Sequence, residues 1–95
     1  MSKPPQEIDG AKVLFWAWSG PVPFGFVGDE KDPLAAKIFG LAICRYEGSE
    51  QVYRFSCDEN WETQQDAFYD SAEQAIDELP DQYKNVRADW IEFED

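Results

Sequence analysis

The chain has 95 residues, of which 43% are apolar and 16% aromatic, enough for one modest core and too few for two independently stable domains. Net charge is −12 with no histidine, and the charge is divided unevenly: residues 1–56 carry seven acids against six bases, residues 57–95 thirteen acids against two. Such a field repels nucleic acid and anionic membrane and attracts basic partners over a Debye length of about 8–10 Å, so direct nucleic-acid binding is excluded.

Residues 1–11, with Pro4, Pro5 and Gly10, are expected to form a loosely held, flexible N-terminal arm ahead of a single domain, 12–95. MSKPPQEIDGAK lacks the basic-then-apolar order of a signal peptide, and no segment approaches the roughly 20 apolar residues of a membrane span, so a cytoplasmic protein without a membrane partner is expected. VLFWAWS, 13–19, is a short aromatic run ended by Gly20, Pro21 and Pro23, and reads as a strand apolar on both faces. PVPFGFVGDEKDP, 21–33, reads as a long loop that folds back on the sheet, either as a contact surface or as a plug for one end of the core.

Residues 34–58 read as a hairpin about a two-residue type II′ turn, Gly48-Ser49, with Glu47 opposite Glu50. That register places Tyr46, Cys44, Ala42 and Gly40 opposite Gln51, Tyr53, Phe55 and Cys57 on an apolar face. Arg45, Ile43, Leu41 and Phe39 then face Val52, Arg54, Ser56 and Asp58 on a mixed, half-exposed face. Cys44 and Cys57 fall four positions out of step, so both are expected as reduced core thiols.

After an acidic connector, a helix is expected from Asp70 or Ser71. Ser71 and Gln74 have capping-box spacing, and Ala72, Ala75, Ile76, Leu79 and Tyr83 form one apolar stripe interrupted at Pro80. VRADWIEFE, 86–94, reads as a last strand with a phase change that suggests a bulge or an edge position. The expected fold class is α+β: an antiparallel sheet of about four strands with one main helix packed on a face.

Catalytic chemistry has little footing. Histidine is absent, the two cysteines sit on strands without a base, and twenty acids make a carboxylate pair uninformative. Asp58, Glu59, Glu62, Asp66 and Asp70 lack the spacing and central glycine of an EF-hand loop, and no phosphate cradle or dinucleotide fingerprint occurs, so no metal, no cofactor and no enzyme activity are expected.

The acids themselves break local rules. DENWETQQDAFYD, 58–70, holds five acids and no base, and Glu73, Asp77 and Asp81 continue at four-residue spacing along the expected helix. Like charges so placed destabilise a helix by about 0.2–0.5 kcal/mol per pair, and Asp77 and Glu78 oppose its dipole by roughly 0.3–1 kcal/mol. With no base between Arg54 and Lys84, a partner is expected to supply the countercharge. The expected partner-binding residues are Asp58, Glu59, Glu62, Asp66, Asp70, Asp77, Glu78 and Asp81 for charge, with Trp61 and Tyr69 as aromatic anchors.

The run YRFSCDENWETQQDAFYDSAEQAIDELPDQY, 53–83, resembles the strand, acidic turn and helix arrangement of small acidic bacterial toxin-immunity proteins. That resemblance implies neutralisation of a cognate toxin by tight, stoichiometric protein–protein binding, with a basic nuclease-type domain as the expected partner. Two other readings stay open: a phage or plasmid DNA mimic of the anti-restriction or anti-CRISPR kind, and a small ligand-binding domain lined by Phe15, Trp16, Trp18, Phe24 and Phe26. Edge strands and exposed aromatics also permit a homodimer.

Overall fold

The computed structural model describes residues 3–29 and 31–94; Met1, Ser2, Glu30 and Asp95, which fall in the expected arm, the 21–33 loop and the end of the domain, lie outside them. The elements are β1 (Glu7–Ile8), β2 (Ala11–Trp18), β3 (Gly25–Val27), β4 (Ala36–Ile38), β5 (Gly40–Arg45), β6 (Val52–Cys57), β7 (Thr63–Tyr69), α1 (Ala72–Asp77), a 3₁₀ turn (Asp81–Tyr83) and β8 (Ile91–Glu92). Strands make up 41% of the described residues and helix 10%, so the α+β expectation is corrected: the protein is mostly β, a curled antiparallel half-barrel of order β1-β2-β5-β6-β7.

Pro80 is the reason. The expected apolar stripe does turn inward, with Ala75, Leu79 and Tyr83 all buried. The Ser71 hydroxyl caps the Gln74 N–H at 3.1 Å, and the Gln74 side chain accepts from the Asp70 N–H at 2.8 Å. Regular helix ends at Asp77, however, and Pro80 is extended with ψ 148°, so Leu79 and Tyr83 reach the core from irregular and 3₁₀ backbone. What covers the sheet is a patchwork of short pieces.

The central hairpin has the expected register, with Gly40↔Cys57, Leu41↔Ser56, Ala42↔Phe55, Ile43↔Arg54 and Cys44↔Tyr53. Its turn differs. The Ser49 N–H donates to the Tyr46 carbonyl at 3.1 Å, so Glu47 and Gly48 are the central pair, and Gly48 at φ +81° takes the second position as in a type II turn. The half-exposed face is also corrected: Leu41, Ile43, Arg54 and Ser56 are all buried. Ile43 and Val52 pack on Ala75, and Leu41 packs with Ala17, Phe24, Ile38, Leu79 and Tyr83. The opposite face gathers Ile8, Val13, Trp16, Ala42, Cys44, Phe55, Cys57 and Trp61.

Four segments differ from the forms expected from the sequence. Ile8, in the expected arm, is buried and pairs with Ala11, so this part of the arm is joined to the sheet. The 21–33 loop contributes β3, which pairs with β4 through Gly25↔Ile38, Phe26↔Lys37 and Val27↔Ala36. The connector between hairpin and helix is β7, paired with β6 from Val52↔Tyr69 to Cys57↔Thr63. The last strand shrinks to β8, which bridges Phe15 and Trp16 of β2, and the bulge lies in β2 between Val13 and Phe15. That bulge brings Val13 and Trp16, three residues apart, onto one face.

The patchwork leaves no slack where β3 meets the 3₁₀ turn. The Asn85 N–H donates to the Phe24 carbonyl at 3.1 Å and the Gln82 side-chain amide to the Phe26 carbonyl at 3.1 Å. A Cβ on the buried Gly25 would overlap the backbone carbonyl of Gln82. Gly25→Ala is therefore expected to lower stability by about 1–3 kcal/mol, read from the urea midpoint at unchanged m-value; an unchanged midpoint would mean that this seam is loose.

Candidate functional site

The stretch DENWE closes the β6–β7 hairpin. The Asp58 carboxylate accepts from the Asn60 N–H at 2.8 Å and the Glu62 N–H at 3.0 Å, and the Trp61 N–H donates to the Asp58 carbonyl at 3.1 Å. Asp58 is thus a turn-forming residue, half-buried, rather than a free surface charge. The turn holds Trp61 at φ +61°, a left-handed conformation that bulky residues seldom adopt, and its indole is over nine-tenths buried. The ring meets Trp16 edge-on at 6.3 Å and Trp18 at 5.6 Å, and lies on Gly40, where a Cβ would come within 2.6 Å of it. Trp61 is a core residue, which corrects its expected role as an exposed anchor.

Tyr69 is likewise turned inward. Its hydroxyl accepts from Arg54 Nη1 at 2.9 Å, while Arg54 Nε donates to Ser56 Oγ at 3.3 Å and the guanidinium lies over the Tyr83 ring at 5.2 Å. The Tyr83 hydroxyl in turn donates to the Gln65 side chain. The exposed aromatic of β7 is Phe68, 61% accessible, and the sequence reading left it out of the site. Tyr46, Tyr53 and Phe68 form a row, with centroids 5.4 Å and 6.1 Å apart, that runs from the β5–β6 turn to β7. Asp66 belongs to the same face two residues before Phe68. Desolvation, then the charge of Asp9, raise the Tyr46 phenol above its ordinary range. The missed signal was the alternation of TQQDAFY: residues 63, 65, 67 and 69 are half-buried and residues 64, 66 and 68 exposed.

The remaining expected acids, Glu59, Glu62, Asp70, Asp77, Glu78 and Asp81, are exposed. They do not gather at one point: Glu59 and Glu62 flank the start of β7, Asp70 follows its end, and the others lie on or beyond α1. Because helix stops at Asp77, the expected like-charge pair Asp77–Asp81 does not form within a helix. Asp81 is paired with Lys84 at 3.3 Å, a solvent-exposed contact of little energetic weight. Among the described residues, no Lys or Arg lies in ion-pair reach of Glu59, Glu62, Asp66, Asp70, Asp77 or Glu78.

The five aromatics of the ligand-pocket reading do not converge. Trp16 belongs to one sheet face with Trp18 beside it, while Phe24 and Phe15 pack in separate clusters on the other. Among the described residues, no three Cys, Asp or Glu side chains converge in a metal-binding arrangement, and no helix is long and apolar enough to cross a membrane. A groove of about 420 Å³ lies between the β1–β2 and β5–β6 turns, lined by Glu7, Lys12, Arg45, Tyr46 and Glu47, and none of the expected site residues lines it. No family model, no curated protein and no solved structure matches this chain.

Gly40→Ala is expected to cost about 1–3 kcal/mol by driving the indole off β5, and to cost much less in a Trp61→Leu background, because the clash partner is then smaller. Additive losses in urea unfolding of the two single variants and the double variant would rule out the Trp61–Gly40 stack.

Burial raises both thiols, Cys57 to about 12, and it also raises the Tyr83 phenol. Folded pKa values above the unfolded ones mean that these groups contribute fully below the unfolded cysteine value of about 8.5 and lose that contribution as pH climbs through the folded values. The urea midpoint is therefore expected to be flat from neutral pH to about 8 and to fall steadily above about 9. Thiol reagents at mildly alkaline pH should modify Cys44 and Cys57 only on unfolding; rapid modification of the native protein would contradict the buried, reduced assignment.

Proposed function

We propose that this chain is a non-enzymatic inhibitor of the immunity type, neutralising a basic toxin domain of the nuclease class by tight protein–protein binding. The supporting observation is β7 and its flanks: Glu59, Glu62, Asp66 and Asp70 face solvent without a countercharge within reach among the described residues, and the exposed Phe68 stands among them. An apolar side chain ringed by unpaired charge suits a contact in which the charges give a fast, oriented encounter and the aromatic gives residence time. The contact set is revised accordingly: Asp66, Phe68 and Tyr53 stand at its centre, Glu59, Glu62, Asp70, Asp77, Glu78 and Asp81 supply the surrounding field, and Asp58, Trp61 and Tyr69 hold the scaffold beneath.

The test is association with the basic protein captured from the native host. Raising salt from low ionic strength to about 0.5 M should slow the on-rate by at least about tenfold, and the combined variant Glu62→Lys, Asp66→Lys, Asp70→Lys should lose binding and protection while keeping its near-UV circular dichroism. A folded charge-reversed variant that binds with an unchanged on-rate and still protects the host contradicts the proposal.

A further inference from the structure

We infer that the free edge of β7 accepts an extended basic segment of the partner, which adds as a further strand beside β7. This rests on the reading above that the partner is basic, and it specifies how such a partner is held.

The two sides of the half-barrel end differently. The outer edge of β2 is taken up by β1 at Lys12 and Ala11 and by β8 at Phe15 and Trp16. β7 pairs with β6 on one side only, and no described strand lies on its other side. It is long for an edge, seven residues, against two for each of the strands that close the other side. Exposed edges are ordinarily guarded by charge, above all lysine, by proline, by bulges or by extreme shortness. Thr63–Tyr69 contains neither lysine nor proline, and its pairing is irregular only at its start, where Gln64 is passed over between Ser56↔Gln65 and Cys57↔Thr63; its only charge is Asp66, at the mid-point of the strand.

That charge selects the occupant. A second copy pairing antiparallel about the middle of β7 would set Asp66 against Asp66, in a molecule already at −12, and like charges directly opposed on a ladder are destabilising. A basic strand turns the same position into an attraction. Backbone N–H and C=O groups along the open edge supply binding without regard to sequence, and the alternating faces of β7 supply the choice of side chains. On one face an incoming Lys or Arg would lie beside Asp66 and over the exposed ring of Phe68, combining ion pairing with a cation–π contact. On the other, a small apolar side chain would meet the half-buried Gln65, Ala67 and Tyr69. The fitting ligand is an extended segment with basic residues at every second position.

The full-length ¹⁵N-labelled chain is titrated with three short synthetic peptides. One alternates lysine and valine, the second has the same charge with a central valine replaced by proline, and the third carries glutamate in place of lysine. The lysine–valine peptide is expected to shift the amides of Gln64 to Phe68 and newly protect those not directed at β6, to bind at least about tenfold more tightly than the proline-containing peptide, and to lose about tenfold or more in affinity on Asp66→Lys; the glutamate peptide is expected not to bind. Equal binding of the proline-containing peptide overturns strand addition while leaving the basic-partner reading standing. Shifts confined to α1 and the 3₁₀ turn, binding of the glutamate peptide, or no binding of the lysine–valine peptide each overturn it as well. Concentration-dependent self-association protecting the β7 amides would instead identify a second copy as the occupant. The proposed function itself stands or falls on the charge-reversed variant and its on-rate, independently of these peptides.

Discussion

The indole of Trp61 lying on Gly40 is the contact on which the surface of this protein depends. It joins the β6–β7 turn to the start of β5, and it exists only because β5 begins with a residue that has no Cβ. The left-handed backbone at Trp61 is held by the Asp58 carboxylate, which takes two backbone N–H groups of the same turn. Trp16 and Trp18 of β2 close around the ring, so a single side chain ties β2, β5 and the β6–β7 turn together. With the turn locked, the chain leaves β6 and returns beside it as β7 in a register that turns Asp66 and Phe68 outward.

β7 has little hydrophobicity of its own to keep it in place. Its inward side chains are Thr63, Gln65, Ala67 and Tyr69, and two of these are held from beneath by polar contacts, Tyr69 by Arg54 and Gln65 by Tyr83. Among the described residues, Arg54 is buried with no carboxylate hydrogen-bonded to it, in a chain with twenty acids. Its guanidinium donates to a hydroxyl and a phenol and lies on the face of Tyr83. Most of the acids are left to the surface, and the buried Arg54 binds the covering segment to the sheet. This arrangement reconciles a strongly acidic rear half with a stable fold: the rear half supplies few large core side chains, chiefly Trp61, Leu79 and Tyr83, and is pinned by specific polar contacts.

The parts of the fold legible in the sequence were those in which local pattern and tertiary burial agree. The β5–β6 ladder was readable because two apolar runs flank a glycine turn that sets their register, and the α1 cap because Ser71 and Gln74 stand at the required spacing. The helix was over-read because Leu79 and Tyr83 keep the helical apolar phase after Pro80 has taken the backbone out of the helix. β7 escaped notice because burial and hydrophobicity run out of phase there: Ala67 is the inward residue and Phe68 the outward one. The same inversion misassigned the aromatics of the site. Trp61 and Tyr69, named as anchors, hold the turn and Arg54, while Phe68 was set aside. A tryptophan at positive φ is not visible from composition, since only the packing around Gly40 compensates for it. The exposure of the expected acids other than Asp58 was legible, because an unpaired carboxylate on a chain already rich in carboxylates has nowhere to go but the surface.

The central claim is that β7 is an ordered strand whose outer edge is bare. Residue-resolved amide hydrogen exchange on the free protein tests it most directly. Alternate amides of Thr63–Tyr69, those directed at β6, should be protected, and those between them should exchange at rates near those of exposed backbone. Uniform protection along β7 would mean that something already covers the edge, and uniform lack of protection would mean that the strand, and the surface built on it, does not exist.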